Sequence, residues 1–381
     1  MKGIQISDAG GYAELQPGLT NGDLIRYLWA HGKQTVTGNC LCTGIMGIML
    51  GGGHGYLQGL FGLLADQILE ARVVLADGSS VVASKSSNRN LFYALRGAGH
   101  NFGIVTGLKY KVYDRIDHWT EINFIFTHDK LEQVFELSNN NYLAEADHPA
   151  ELIMWYTFMR RPDIDPSNAV INMLMIYAGP ASGLEPFAAP FRMLSPAREL
   201  VYTSVAYPDL FALNRNDEAS IVTCGKGLYR HMMPNYLARH NVTALRSVHT
   251  LFNNITAQYP SVGFTSVYVV ESYSQQAVTA VRARDTATPY REYPLLASPV
   301  WGYSNSSYSA DIIATSKAMR KAMAEGSGQP LRAYLNYGFG DETLAELYGD
   351  EPWRVPRLRA LKTRYDPKNR FRFYAPINPR P

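Results

Sequence analysis

Leu24, Ile25, Leu28 and Trp29 fall on one face of the stretch NGDLIRYLWAHG, which predicts an amphipathic helix. Thr20-Asn-Gly-Asp23 supplies a capping box at its start, and Gly32 stands where a left-handed residue closes a helix. GYAELQPG before it reads as a short strand ended by Pro17-Gly18. Further on, ILEARVVLADGSSVVAS reads as a hairpin turning at Asp77-Gly78. NLFYALR is a short helix, and GAGHNFG leads from it into the strand IVTGLKYKVYD.

The pattern changes after Asp114 to Asp117. Aromatic-rich strands (INFIFTH, ELIMWYTFM, INMLMIYAG, SVYVVES) alternate with the helices LEQVFELSNNNYLA and SADIIATSKAMRKAMAE, as in an α+β domain on an antiparallel sheet. The last forty residues return to helix and turn, DETLAELYG and then VPRLRALKTRY, with a stop at Asp366-Pro-Lys-Asn. The expected division is 1–115, 116–338 and 339–381. No internal repeat or low-complexity segment interrupts it.

Composition narrows the function classes. The 381 residues are 46% hydrophobic, enough for two cores, and the net charge of +3 leaves no basic footprint for nucleic acid. MKGIQISDAGGYAELQPG lacks the apolar core of a signal peptide, and no long apolar run suits a membrane span. The sequence as it stands is therefore expected to be soluble and cytoplasmic, or secreted or vesicular if a longer N-terminus exists. Asn241-Val-Thr, Asn254-Ile-Thr and Asn305-Ser-Ser are glycosylation sequons, a number that chance can supply. The three cysteines are too few for a disulfide framework and have no zinc spacing, so Cys224 reads as a lone buried thiol. No metal site is expected.

Charge is nearly absent from TGNCLCTGIMGIMLGGGHGYLQG, residues 37–59, where glycines let backbone amides approach a flat or anionic ligand. Two ordinary nucleotide motifs are excluded. There is no Walker-type loop, and the GAGHNFG segment follows a helix and opens a strand, the reverse of the Rossmann order.

The order of Gly38-Asn-Cys40-Leu-Cys-Thr-Gly44-Ile-Met-Gly47, Gly51-Gly-Gly-His-Gly55, Gly59-Leu-Phe-Gly-Leu-Leu-Ala-Asp66, Val74-Leu-Ala-Asp-Gly78 and Leu91 to Val105 closely resembles vanillyl-alcohol-oxidase-type flavoproteins. Tyr334-Leu-Asn-Tyr337 and Tyr365-Asp-Pro-Lys-Asn-Arg-Phe371 extend the likeness to berberine-bridge-enzyme-like FAD-linked oxidases, fungal type. The resemblance implies a PCMH-type FAD-binding domain made from both chain ends, with a substrate domain whose antiparallel sheet is covered by helices. It implies cofactor contacts at Cys40, Thr43, Gly44, Gly47, Gly51, Gly52, Gly53, His54, Gly55, Asn101, Phe102, Gly103, Ile104 and Val105. It further implies that Asn336 and Tyr337 project toward the flavin, with Tyr337 as catalytic base, a role that requires a phenol pKa pulled well below about 10.

In bicovalent relatives a cysteine at the place of Cys40 bonds the flavin ring; Cys42 has no counterpart and reads as a small packed side chain. The family's Arg-x-x-Gly-Gly-His motif and first lobe lie upstream of the region matched here, so a shortened FAD-binding domain and no histidyl link are expected. Thr43 stands where the family usually has an apolar residue governing oxygen access, and its size leaves the ring open to O2. His54 and His100 either meet cofactor oxygens or make ordinary turn hydrogen bonds. The resulting expectation is hydride transfer from a hydrophobic small molecule to FAD, with O2 as acceptor, in secondary metabolism. The alternative is a flavin-free relative acting as a non-redox cyclase, isomerase or binding protein. Trp155, Tyr156, Phe158, Tyr268 and Trp301 suit a pocket or a core.

Overall fold

The computed structural model describes residues 1–143 and 148–379. Its strands form two main antiparallel sheets, on either side of residues 112–118 in the chain. The first has five strands, in the order Ile4–Ile6, Tyr12–Leu15, Ile104–Lys111, Ile68–Val74 and Ser80–Ser84. The expected hairpin is its last pair, with Gly78 at φ +89° in the turn. The helix Asn21–Ala30 packs nearby, capped by the Thr20–Asp23 box, and Gly32 takes φ +69° beyond its end.

The second sheet runs Arg198–Val205, Trp119–Phe126, Ala169–Tyr177, Leu152–Arg160, Val267–Tyr273, Leu295–Tyr303 and Tyr229–Met232, with Asn235–Leu237 also on Leu295–Tyr303. Helices Leu131–Asn141, Ala181–Arg192, Val242–Gln258 and Ser309–Ser327 supply the apolar cover of one face. The first ends before the expected limit; Ala144, the last residue of that prediction, lies outside the described residues, as do Arg380 and Pro381 at the chain end. Ala181–Arg192 escaped prediction because it contains Pro186 and Pro190, which ordinarily break a helical pattern.

Alternation along the strands separates two environments. Met154, Tyr156 and Phe158, with Tyr268 and Trp301, sit in the core beneath the helices, so four of the five singled-out aromatics are core. Trp155 points to the other face. There a cross-strand row runs Asn123, Leu174, Trp155, Glu271 and Leu296.

The C-terminal segment returns to the first sheet's layer through a buried cation. Lys362 Nζ, on helix Arg354–Tyr365, donates to Asp366 Oδ2 at 2.7 Å, Asn101 O at 2.8 Å and Phe371 O at 2.7 Å. Asp366 accepts from the backbone N–H of Arg370 and Phe371. The Asp-Pro-Lys-Asn-Arg-Phe motif is thus a surface turn pinned at its first residue, with Asp366 and Lys362 buried and Pro367, Lys368 and Arg370 exposed. No helix among the described residues is long and apolar enough to cross a membrane. Asp366→Asn, which leaves the ammonium without its carboxylate, should lower unfolding free energy by about 3–5 kcal/mol in denaturant titrations; an unchanged midpoint would refute this role.

Candidate active site

An acid in the middle of an apolar strand organises the site. Glu271, in Val267–Tyr273, is 2% exposed, on the sheet face away from the helices. Its Oε1 accepts from Tyr337 Oη at 2.9 Å and its Oε2 from Tyr273 Oη at 2.5 Å. Asn39 Nδ2 in turn donates to Tyr273 Oη at 2.7 Å, which connects the carboxylate to the residue before Cys40. Burial raises the Glu271 carboxyl to about 7, against the pull of the two phenol hydrogen bonds. The sequence signal was there: one charged residue in VYVVESY, where an apolar one fits the pattern.

Tyr337 lies on the short turn Leu335–Tyr337. Burial, and then the charge of Glu271, push its phenol well above 10. This is the reverse of the condition required of a tyrosinate base. The group placed to hold a proton at neutral pH is Glu271, and Tyr337 is its outer hydrogen-bond donor. Asn336 turns elsewhere: its Nδ2 donates to Ile48 O at 2.8 Å and Tyr334 Oη at 2.7 Å, bracing the glycine segment.

Cys40 is a free, half-buried thiol in the same electrostatic neighbourhood. Burial and Glu271 push it up to about 12, and Arg230 opposes them. The expected glycines divide into two groups. Gly44 and Gly47 are exposed, with nothing within 4 Å of where a Cβ would stand. A Cβ at Gly51 would lie 2.0 Å from Asn336 Oδ1, one at Gly55 1.9 Å from Thr37 O, and Gly52 and Gly53 back onto Thr288 and Leu64. These four secure close packing, with Gly52 and Gly53 at positive φ, while Gly44 and Gly47 form a bare ledge. Thr43 is exposed beside that ledge.

The histidines make protein hydrogen bonds. His54 meets Gln58 Oε1 and Tyr236 Oη, both at 2.8 Å, and burial lowers it to about 4. His100 meets Tyr348 Oη and Asn101 Nδ2, and is lowered to about 4, again chiefly by burial. Both are neutral near pH 7, so neither brings a positive charge to a phosphate. Asn101 is fully buried and holds the C-terminal segment, accepting from Ile377 N and donating to Tyr348 Oη. Phe102 and Val105 are buried, Gly103 packs on Val73 and Val74, and Ile104 is 59% exposed. Only Ile104 of this segment presents a side chain outward.

The expectation for two cysteines is corrected. Cys42 and Cys224 form a disulfide across 182 residues, so neither is an isolated packed thiol. Leu41 N to Asn216 O at 2.9 Å and the Arg26–Glu218 ion pair join the same segments. Three cysteines exclude a framework, but they do not exclude one long-range bridge. Closing a loop of this length restricts the unfolded chain by about 5 kcal/mol in the chain-entropy account.

These features fit a flat redox ring: an open backbone ledge at Gly44 and Gly47, a free thiol at Cys40, and a buried acid–phenol pair near it. Among the described residues no group of three or more His, Cys, Asp or Glu gathers to hold a metal. Fold and site together define a flavin-dependent oxidoreductase architecture, and the comparisons agree. Residues 1–84 match the FAD binding domain family, and residues 333–378 match the berberine and berberine like family.

The chain is 37% identical over 382 residues to the FAD-linked oxidoreductase anuG of Penicillium roqueforti, covering 99% of this chain and 74% of that protein. It is 36% identical over 387 residues to FAD-linked oxidoreductase chry5 of Gibberella zeae, with 99% and 74% covered. Among solved structures it is similar to Physcomitrella patens BBE-like 1, with a TM-score of 0.83 at 23% identity, covering 100% of this chain and 80% of that one. The chain belongs to the berberine-bridge-enzyme-like FAD-linked oxidoreductases. The non-redox alternative is not favoured. In cofactor-free protein at pH 8, Cys40 should alkylate more slowly than an exposed thiol, and non-reducing peptide maps should recover Cys42 joined to Cys224; fast alkylation would contradict the thiol's environment.

Proposed function

We propose that this oxidoreductase removes a hydride and a proton from a hydrophobic small molecule, with Glu271 receiving the proton through Tyr337 and O2 as the final electron acceptor. The observation that carries this reading is the 2.9 Å hydrogen bond from Tyr337 to a buried carboxylate whose pKa is raised to about 7. Bound FAD supplies the two-electron acceptor. When a substrate hydroxyl gives its proton to Tyr337 Oη, the phenol's own proton passes to Glu271 Oε1, and the phenol stays neutral throughout. This relay needs no tyrosinate.

The sheet face supports a substrate with apolar surface. Trp155, Leu174 and Leu296 share the cross-strand row with Glu271, and Trp155 also meets the rings of Tyr56 and Tyr273. Fungal relatives named as FAD-linked oxidoreductases support the redox reading, and a role in secondary metabolism is part of this proposal. Thr43, exposed beside the ledge, leaves a small side chain on the oxygen approach. Cys40 is the anchor for a covalent flavin link, since it is the free thiol next to the Glu271 pair.

Glu271 is ionised above about pH 7, so flavin reduction by substrate should accelerate as pH rises through about 7 and lose that limb in Glu271→Gln. Tyr337→Phe should slow reduction by roughly 10²–10⁴-fold; rapid-mixing absorbance measures both, and wild-type rates in Tyr337→Phe would sink the relay. In acid-precipitated holoprotein, flavin should stay with the pellet and be released in Cys40→Ala. Retention in that variant would assign the link elsewhere.

A further inference from the structure

Three sequons lie in the substrate domain, and the structure places them in different environments. Asn241 is the N-cap of helix Val242–Gln258. Its Oδ1 accepts from Ala244 N at 2.8 Å and its Nδ2, the atom a glycan would occupy, donates to Gly326 O at 2.7 Å. Asn254 is exposed on the same helix, but the hydroxyl two residues on is turned away from it. Thr256 is 2% exposed and donates to Phe252 O at 2.7 Å.

Asn305 differs from both. Residues 304–307 are all exposed, between strand Leu295–Tyr303 and the helix that begins at Ser309. Asn305 Oδ1 accepts from Ser307 Oγ at 2.9 Å and from Ser307 N at 3.0 Å. This local turn couples the carboxamide to the hydroxyl that the sequon requires and leaves Nδ2 facing solvent. A second, independent observation concerns the compartment. The Cys42–Cys224 bridge belongs to proteins that mature under oxidising conditions, where N-glycosylation also occurs.

We propose that Asn305 carries an N-linked oligosaccharide and that Asn241 and Asn254 remain bare. The donor is a lipid-diphosphate-linked oligosaccharide. The bond from sugar C1 to the diphosphate oxygen breaks, the bond from Asn305 Nδ2 to C1 forms, the amide nitrogen loses one proton to the transferase, and lipid diphosphate leaves. No oxidation state changes. Asn305 stands four residues before helix Ser309–Ser327, whose Ile312, Met319 and Met323 pack in the core on the sheet face opposite Glu271.

The test uses the protein isolated from its own cells. Glycosidase release in heavy-oxygen water should convert Asn305 to labelled Asp and leave Asn241 and Asn254 unlabelled. Release should shift electrophoretic mobility by one glycan, and the shift should vanish in both Asn305→Gln and Ser307→Ala, the second of which keeps the asparagine. An unlabelled Asn305, label at Asn241 or Asn254 in its place, or a shift that survives in both variants would overturn the proposal.

Discussion

A carboxylate taken out of water is the constraint around which the rest is arranged. Burying a lone charge costs far more than a hydrogen bond returns, so Glu271 is tolerated only with two phenols turned onto it. Tyr273 comes from the same strand and Tyr337 from the turn Leu335–Tyr337, just before the C-terminal segment. Asn39 extends the network to the loop that carries Cys40. One buried acid thus fixes the mutual position of three distant segments.

The same burial decides how the proton is held. A phenol beside an anion keeps its proton, and an acid beside two phenols takes one up near neutrality. The two titrations belong together, because each hydroxyl both stabilises the carboxylate and is pushed upward by it. Such an arrangement gives a base near pH 7 without a histidine, and both histidines of the glycine and GAGHNFG segments are accordingly neutral structural residues.

Local chemistry was legible in the sequence; long-range pairing was not. The Thr20–Asp23 box, the Asp77-Gly78 turn and the stop at Asp366 are decided within four or five residues, and each appears where the pattern places it. The flavoprotein fold followed from ordered motifs at both ends. Glu271 was visible only as an oddity in an apolar strand, because its partner Tyr337 lies 66 residues away. The Cys42–Cys224 pairing carried no local signal at all across 182 residues. Glycine function was half legible: sequence reveals the absence of a side chain, but only the packed structure separates Gly44, which faces open space, from Gly51, which makes room for Asn336.

The disulfide has a mechanical consequence. It attaches the loop after Asn216, part of the substrate domain, two residues from the Cys40 thiol. The bridge fixes the separation of these two segments, so any relative motion of the two halves has to pivot about this seam and cannot pull it apart. In that respect the disulfide is an axle and not a clasp.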